Sequence, residues 1–358
     1  MEPTSSTKKI GTPTYAEAEH IWQESEGVWR IAQTEDQFNN AQNAAGTLTI
    51  TDLDTNRKTQ GGYGKVYGAE VQYKNSRQLK GVVKEVRGRI GVDGALLMKS
   101  INSEYVAKAK GVFWAPMGQT SIVMMDKLDF NLEEELTIVA DNPRNYEGQA
   151  FTDRTIAPIQ QSFRAVRDTH FAGVAHLDIK PENVMSWNLC SDPGKGKYRL
   201  IDFDHSIDVA KTSTLPSFGS DLYKAPEIAN GEPYRPYVAD TYSFAWMHYD
   251  TINPQLLLTP AGRLRRQNLV DMTYRDSPPN DLEMGRELTA ALTMMGMTSQ
   301  NSPMAFNEAR LIAQALQPEA KRIKFSEYYQ KWCEVKKTDC PDIGNEAWQA
   351  EGNNQGAK

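Results

Sequence analysis

The run HLDIKPENV (176–184) constrains this chain more than any other stretch of its sequence. Within six residues it sets out a carboxylate, Asp178, an ammonium, Lys180, and a carboxamide, Asn183, with Pro181 between the last two. Such a set can place one carboxylate at an attacking hydroxyl and one ammonium at a transferred phosphoryl group, while a side-chain amide oxygen turns toward a magnesium ion. Asp202, in LIDFD, follows as a second metal-ligand candidate. A proline-punctuated surface loop would account for one or two of these residue types, but not for all of them at once.

Composition sets outer limits on that reading. With 358 residues, 39% hydrophobic and 24% charged, the chain can bury a sizeable core, in one large two-lobed domain or two small ones. A net charge of −6 argues against nucleic acid or an anionic membrane as the main partner, since those select a basic face. No run approaches the roughly 18 apolar residues of a membrane span, and the N-terminal MEPTSS lacks the apolar centre of a secretory signal. The expected setting is a cytoplasm. Cys190, Cys333 and Cys340 make an odd number without CxxC spacing, so reduced thiols are expected, with neither a disulfide framework nor a zinc site.

Over 15–42 the apolar residues Ile21, Trp22, Val28, Trp29 and Ile31 approximate one stripe of a helix. That helix would dock on the chain's own smaller lobe or offer Trp22 and Trp29 to a partner. After Gly46, short alternating stretches at 47–53, 66–73, 79–86, 112–114 and 121–125 read as strands of an antiparallel sheet. From about Leu132 the pattern becomes mostly helical, with a helix over 156–171, and 341–358 reads as a frayed polar tail.

Two further motifs precede the catalytic run. In TQGGYGKV (59–66) a glycine-rich turn between strands lets backbone amides approach phosphate oxygens with no Cβ in the way. Lys84, in GVVKE, lies 18 residues after Val66 on a predicted strand. In this order the motifs resemble the eukaryotic-type protein kinase superfamily, over roughly residues 55–335. The resemblance implies an α+β, bilobal protein-kinase-like fold: an N-terminal extension with one helix (1–54), a small antiparallel β lobe with a hinge (55–128), a larger helical lobe (129–335) and a polar tail (336–358). It implies ATP as cofactor, with Gly61, Gly62, Tyr63, Gly64 and Val66 over the phosphates and Lys84 on them. Met125 would guard the adenine pocket, and Asp126 and Leu128 would bound the hinge backbone that meets adenine. Asp178 becomes the base, Lys180 the phosphate contact, and Asn183 and Asp202 the ligands of Mg2+ or Mn2+.

The same resemblance makes His176 a packed structural imidazole and places Phe203 beneath Asp202. It makes Asp240 a buried holder of the catalytic-loop backbone, and pairs Glu227, in the substrate-docking segment GSDLYKAPE (219–227), with Arg322. The implied activity is phosphoryl transfer to serine or threonine of a protein substrate, because the KPEN form around Lys180 is that of serine/threonine enzymes. A small-molecule kinase would not be expected to carry the Glu227 and Arg322 segments. A pseudokinase acting as an interaction module would be expected to lack some of Lys84, Asp178, Asn183 and Asp202, all of which are present. An activator or regulator is expected on the small lobe or the N-terminal helix. Leu177 and the compact small lobe also resemble kinases that pathogenic bacteria deliver as effectors into a host cytosol, and equally suit a divergent fungal or other microbial kinase.

Four positions depart from the family pattern. Thr59 stands at the first glycine of the glycine-rich turn. No glutamate lies where the helix after Lys84 should supply its partner, which leaves Asp93 or Glu104, and the short interval from Lys84 to Asp93 predicts a truncated helix. Asp204 replaces a glycine, facing either the metals or solvent. Leu177 replaces an arginine that ordinarily grips a phosphate on the activation segment.

Without that guanidinium, activity should be nearly independent of phosphorylation at Ser220, in the docking loop, and at the four residues Thr212, Ser213, Thr214 and Ser217. Lys211 and Lys224 lack the bidentate fork that makes arginine an effective clamp. Initial rates of phosphatase-treated and untreated protein should agree, as should those of a variant with alanine at these four positions. A large drop in both, restored by rephosphorylating the treated protein, would overturn the reading of Leu177.

Overall fold

The computed structural model describes residues 12–52, 64–141, 149–187, 196–213, 215–294, 296–300 and 302–337. Two compact units emerge: one takes the chain up to Ser100 together with Ala107–Lys127, the other takes Ile101–Val106 together with the chain from Leu128 onward. Glycine-rich residues 61–63, Cys190, Cys340 and the polar tail lie outside the described residues.

The first unit is a barrel. Its elements run β1 (Glu19–Ser25), β2 (Val28–Ala32), α1 (Glu35–Asn39), β3 (Gly46–Asp52), β4 (Gly64–Tyr73), β5 (Gln78–Arg87), α2 (Ile90–Ser100), β6 (Ala109–Ala115) and β7 (Thr120–Met125). The strands close in the order β1-β2-β3-β4-β5-β7-β6, antiparallel except where β1 meets β6 in parallel. The alternation read from the sequence matches β3 to β7, whose inward residues include Leu48, Val71, Val83, Ile122 and Met124. Those residues fill the interior because successive strand side chains face opposite sides of a sheet.

The helix expected over 15–42 does not form. Instead 19–32 is a hairpin, turned at Gly27, whose φ of 71° lies in the left-handed region that glycine enters without a Cβ clash. Ile21 and Val28, like Trp22 and Trp29, are seven positions apart, which mimics about two helical turns, yet Ile21 and Ile31 face each other across the hairpin and both enter the barrel core. Trp22 packs edge-on against Phe38 of α1, with ring centroids 5.6 Å apart. The helix expected after Lys84 is α2, 11 residues long.

The second unit is mainly helical: α3 (Leu132–Asp141), α4 (Gln149–Phe171), α5 (Pro226–Ala229), α6 (Pro236–Ile252), α7 (Gln255–Leu258), α8 (Pro260–Thr273), α9 (Asp281–Met294), α10 (Pro303–Ala315) and α11 (Phe325–Lys336). Between α4 and α5 lie two small antiparallel ladders, β8 (Val174–Ala175) with β11 (Ile207–Asp208) and β9 (Val184–Trp187) with β10 (Lys197–Leu200). Helix α6 is buried along almost its whole length, with Asp240, Ser243, His248 and Asp250 among its buried residues. Phe163 of α4 sits 4.2–5.4 Å, centroid to centroid, from Phe244 of α6 and from Phe325, Tyr328, Tyr329 and Trp332. Cys333, expected as a reduced thiol, is instead disulfide-bonded.

A buried polar cluster ties three of these helices together. Glu308 of α10 accepts from His248 Nε2 of α6 at 3.0 Å and from Trp332 Nε1 of α11 at 2.9 Å, while Lys336 Nζ lies 3.0 Å from its other oxygen. Tyr328 donates its hydroxyl to His248 Nδ1 at 2.8 Å. Burial drives the His248 imidazole below its ordinary pKa. Burial pushes Glu308 up, but the His248 bond and the Lys336 charge outweigh it, so that carboxyl titrates below its ordinary value. The unfolded chain therefore binds more protons than the folded one once pH falls through about 6.5 and then 4.3, and the stability this cluster contributes above that range declines with acidification. Glu308→Gln should leave a buried ammonium uncompensated and cost roughly 3–5 kcal/mol. Denaturant midpoints unchanged by Glu308→Gln at neutral pH would exclude this role.

Candidate active site

One carboxylate organises the catalytic run. Asp240, fully buried on α6, accepts the Leu177 amide on Oδ1 at 2.7 Å, and the His176 amide and His170 Nε2 on Oδ2 at 2.8 and 2.9 Å. These bonds hold Leu177 at a φ of 62°, a left-handed conformation that a bulky residue adopts only when its surroundings over-determine it. His176 donates Nε2–H to the Ile201 carbonyl at 2.9 Å, and its Nδ1 faces the Asp178 amide at 3.3 Å. Its ring meets Phe203 edge-on at 4.8 Å. The expected structural imidazole is thus in place, packed against Phe203.

Asp178, 5% exposed, receives four donors. Its Oδ1 accepts the Ser220 amide at 3.0 Å and the Ser220 hydroxyl at 2.8 Å; its Oδ2 accepts Asn183 Nδ2 at 3.0 Å and lies 3.0 Å from Lys180 Nζ. Lys180 also donates to Ser220 Oγ at 2.6 Å. Burial alone would raise the Asp178 pKa, but the neighbouring Lys180 charge and the hydrogen bonds from Lys180 and Ser220 outweigh it, leaving the carboxyl below the ordinary aspartate value. An ionised carboxylate in contact with a hydroxyl can orient that hydroxyl and accept its proton. Ser220 was not singled out as a site residue from sequence. Its position in GSDLYKAPE was visible; its reach to Asp178 was not.

The metal-ligand candidates adjoin this group. Asn183 commits its side-chain nitrogen to Asp178, on both the backbone oxygen at 2.8 Å and Oδ2, so its amide oxygen is the atom left for a cation. The Ile201 amide bonds the Asn183 carbonyl at 2.9 Å, which fastens the residue preceding Asp202 to the catalytic run. Asp202 has a φ of 64°, which aspartate tolerates better than most residues. Asp204 lies in a single 3-10 turn, Phe203–His205, with an ordinary negative φ, so no glycine is required where the family carries one. His205, also unforeseen, is 6% exposed, lies with its ring tilted 4.8 Å from that of Phe218 and is held below its ordinary pKa by burial, against the pull of Asp178, Asp202 and Asp204.

In the barrel unit, Lys84 lies at the middle of β5, opposite Val66 of β4 and Val123 of β7. It shares a sheet face with Val86, and that face lies under α2: a Cβ on Gly91 of α2 would sit 3.2 Å from Val86 Cβ. Of the two partners considered for Lys84, Asp93 is engaged by Arg89 at 2.9 Å with 56% of its side chain exposed. Glu104 is exposed and belongs to the other unit. Arg89 also pairs with Glu17, which joins the N-terminal segment to the start of α2. Gly64 opens β4, Met125 closes β7, Asp126 pairs with Lys110 at 2.5 Å, and Leu128 is buried in the helical unit. Gly61, Gly62 and Tyr63 fall outside the described residues.

The docking segment approaches the catalytic run through Gly219. Its φ is 112°, and a Cβ there would lie 2.9 Å from the Leu177 carbonyl oxygen, so only glycine fits. Glu227 and Arg322 form the implied pair as a fork: Nη1 to Oε1 at 2.6 Å and Nη2 to Oε2 at 3.1 Å, both side chains buried. Arg322 also donates to the carbonyls of Val238 and Gln317, each at 3.0 Å.

A family model described as "Protein kinase domain" matches residues 59–313. Among curated proteins, NUAK family SNF1-like kinase 1 of Mus musculus is 35% identical over 94 residues, covering 26% of this chain and 13% of that protein. Stress-activated protein kinase JNK of Suberites domuncula is 24% identical over 187 residues, covering 51% and 47%. Serine/threonine-protein kinase mos of Patiria pectinifera is 38% identical over 88 residues, covering 23% of each. The chain spans less than half the length of each of these relatives.

Reversing one charge of the Glu227–Arg322 fork should destabilise the helical unit by roughly 3–5 kcal/mol, and the double swap should recover part of that loss. Thermal melts showing both single variants unchanged would contradict the pairing.

Proposed function

The chain belongs to the protein kinase domain family, and on that premise we propose that it transfers the γ-phosphoryl group of ATP to serine or threonine hydroxyls of protein substrates. The observation that carries this reading is a serine hydroxyl, Ser220 Oγ, held 2.8 Å from Asp178 and 2.6 Å from Lys180. An aliphatic hydroxyl is thus accommodated between an ionised carboxylate and an ammonium, the two groups phosphoryl transfer asks for. In this mechanism Asp178 would orient the incoming hydroxyl and take its proton as its oxygen bonds the γ-phosphorus and the bond to the β–γ bridging oxygen breaks, with ADP as the leaving group. Lys180 would stabilise the negative charge of the transferring group, and Lys84 is the lysine that the family resemblance assigns to the nucleotide phosphates. The family resemblance assigns Gly61, Gly62, Tyr63, Gly64 and Val66 to the phosphates and Met125, Asp126 and Leu128 to the adenine.

The donor set fits a hard divalent cation. Among the described residues no three His, Cys, Asp or Glu side chains converge into a site of their own, and Asn183 with Asp202 offers two oxygen ligands to be completed by phosphate and water. Bound there, Mg2+ or Mn2+ would neutralise charge on the phosphates.

Asp178→Ala or Asp202→Ala should lower phosphoryl transfer by about two orders of magnitude or more, with folding retained. The assay is the full chain with labelled ATP, magnesium and a mixed protein extract. Wild-type labelling no greater than that of Asp178→Ala would reject the mechanism and favour an interaction module instead.

A further inference from the structure

Consecutive carbonyls of the docking segment are each held from outside it. Leu222 O accepts Arg266 Nη2 of α8 at 3.2 Å, Tyr223 O accepts Ser243 Oγ of α6 at 2.8 Å, and Lys224 O accepts the Tyr274 hydroxyl, just past α8, at 2.6 Å. Together they fix a stretch that begins at Ser220, whose amide and hydroxyl both bond Asp178.

Arg266 is the unusual member. Its guanidinium is fully buried, bonds Asp250 of α6 at 2.7 and 3.2 Å, and lies 3.7 Å above the Trp246 ring. Asp250 is likewise fully buried. Taking such a pair out of water is unfavourable enough that well-packed apolar residues would serve stability as well or better. What an apolar pair cannot provide is a donor fixed against Leu222 O.

We propose that Arg266, seated on Asp250, is a positioning residue that with Ser243 and Tyr274 presets 220–224 to receive a protein substrate, by buried groups rather than an added phosphate. The proposal rests on the protein-kinase reading. It supplies what Leu177 leaves open: an anchor for the segment that needs no modification.

Ser243→Ala and Tyr274→Phe remove two of the three donors with little change in volume, and Arg266→Lys keeps the charge opposite Asp250 while losing the fork. In the full chain, two quantities are read: amide hydrogen exchange in 219–225 against that in 244–250, and initial rates over a range of the protein that the wild type labels best. Losing two hydrogen bonds of ordinary strength in the double variant should speed exchange in 219–225 by about tenfold or more, with 244–250 unchanged. KM for the protein should rise by about tenfold while kcat changes less than about twofold, since what is lost is the preset geometry for docking. Unchanged exchange and KM would overturn the proposal. So would exchange rising equally across the helical unit with kcat falling, the mark of a merely structural pair. If the wild type labels no protein, the proposed function fails, and exchange alone decides whether the clamp exists.

Discussion

The Asp240 carboxylate is the interaction on which the catalytic run depends. It sits on the most deeply buried helix, and each of its donors comes from elsewhere: His170 from the end of α4, and two successive backbone amides from the run itself. Burying a lone carboxylate would be strongly unfavourable, so its two oxygens must be satisfied, and the three donors do this. In return the backbone of His176 and Leu177 is fixed in a conformation that Leu177 would not choose unaided. The position of Asp178, one residue on, follows from that constraint rather than from its own contacts.

Electrostatics then set the state of Asp178. Its burial works against ionisation, while an ammonium at 3.0 Å and hydroxyl, amide and carboxamide donors work for it, and the second group prevails. The same Lys180 that stabilises the carboxylate bonds Ser220, so base, ammonium and docking segment form one connected network. In such a network the effect of removing one member is not the sum of its bonds, because a buried partner is left unsatisfied.

Sequence made the catalytic run legible because its chemistry is contiguous: Asp178, Lys180 and Asn183 lie within one turn of chain, and the resemblance then located Asp202, Glu227, Asp240 and Arg322. The strands of the barrel were legible for the same local reason, side-chain alternation. What was not legible is non-local. The β1–β2 hairpin reads as a helix because Ile21 and Val28, like Trp22 and Trp29, fall seven positions apart, about two helical turns, although each pair is split between the two arms. Arg266 and Asp250 are separated by 16 positions with the whole of α7 between them, and no spacing rule joins them. Ser220 lies 42 positions from Asp178.

The departures from the family pattern have separate local explanations. Asp204 needs no glycine because the positive φ falls two residues earlier, on Asp202, where an aspartate already stands. Leu177 cannot hold a phosphate, but its backbone is fixed from below by Asp240, and its side chain is buried at 4% exposure, so an apolar residue suits a position that no longer faces an anion. Past that point the segment is held by other means: Tyr234 donates to the Pro216 carbonyl at 2.6 Å, Ser217 to that of Ile228 at 3.1 Å, and Gly219 lies against Leu177 itself. These bonds are made by uncharged hydroxyls and backbone already present in the chain. Order in the segment is therefore a property of the folded helical unit, and stabilising that unit stabilises the segment with it.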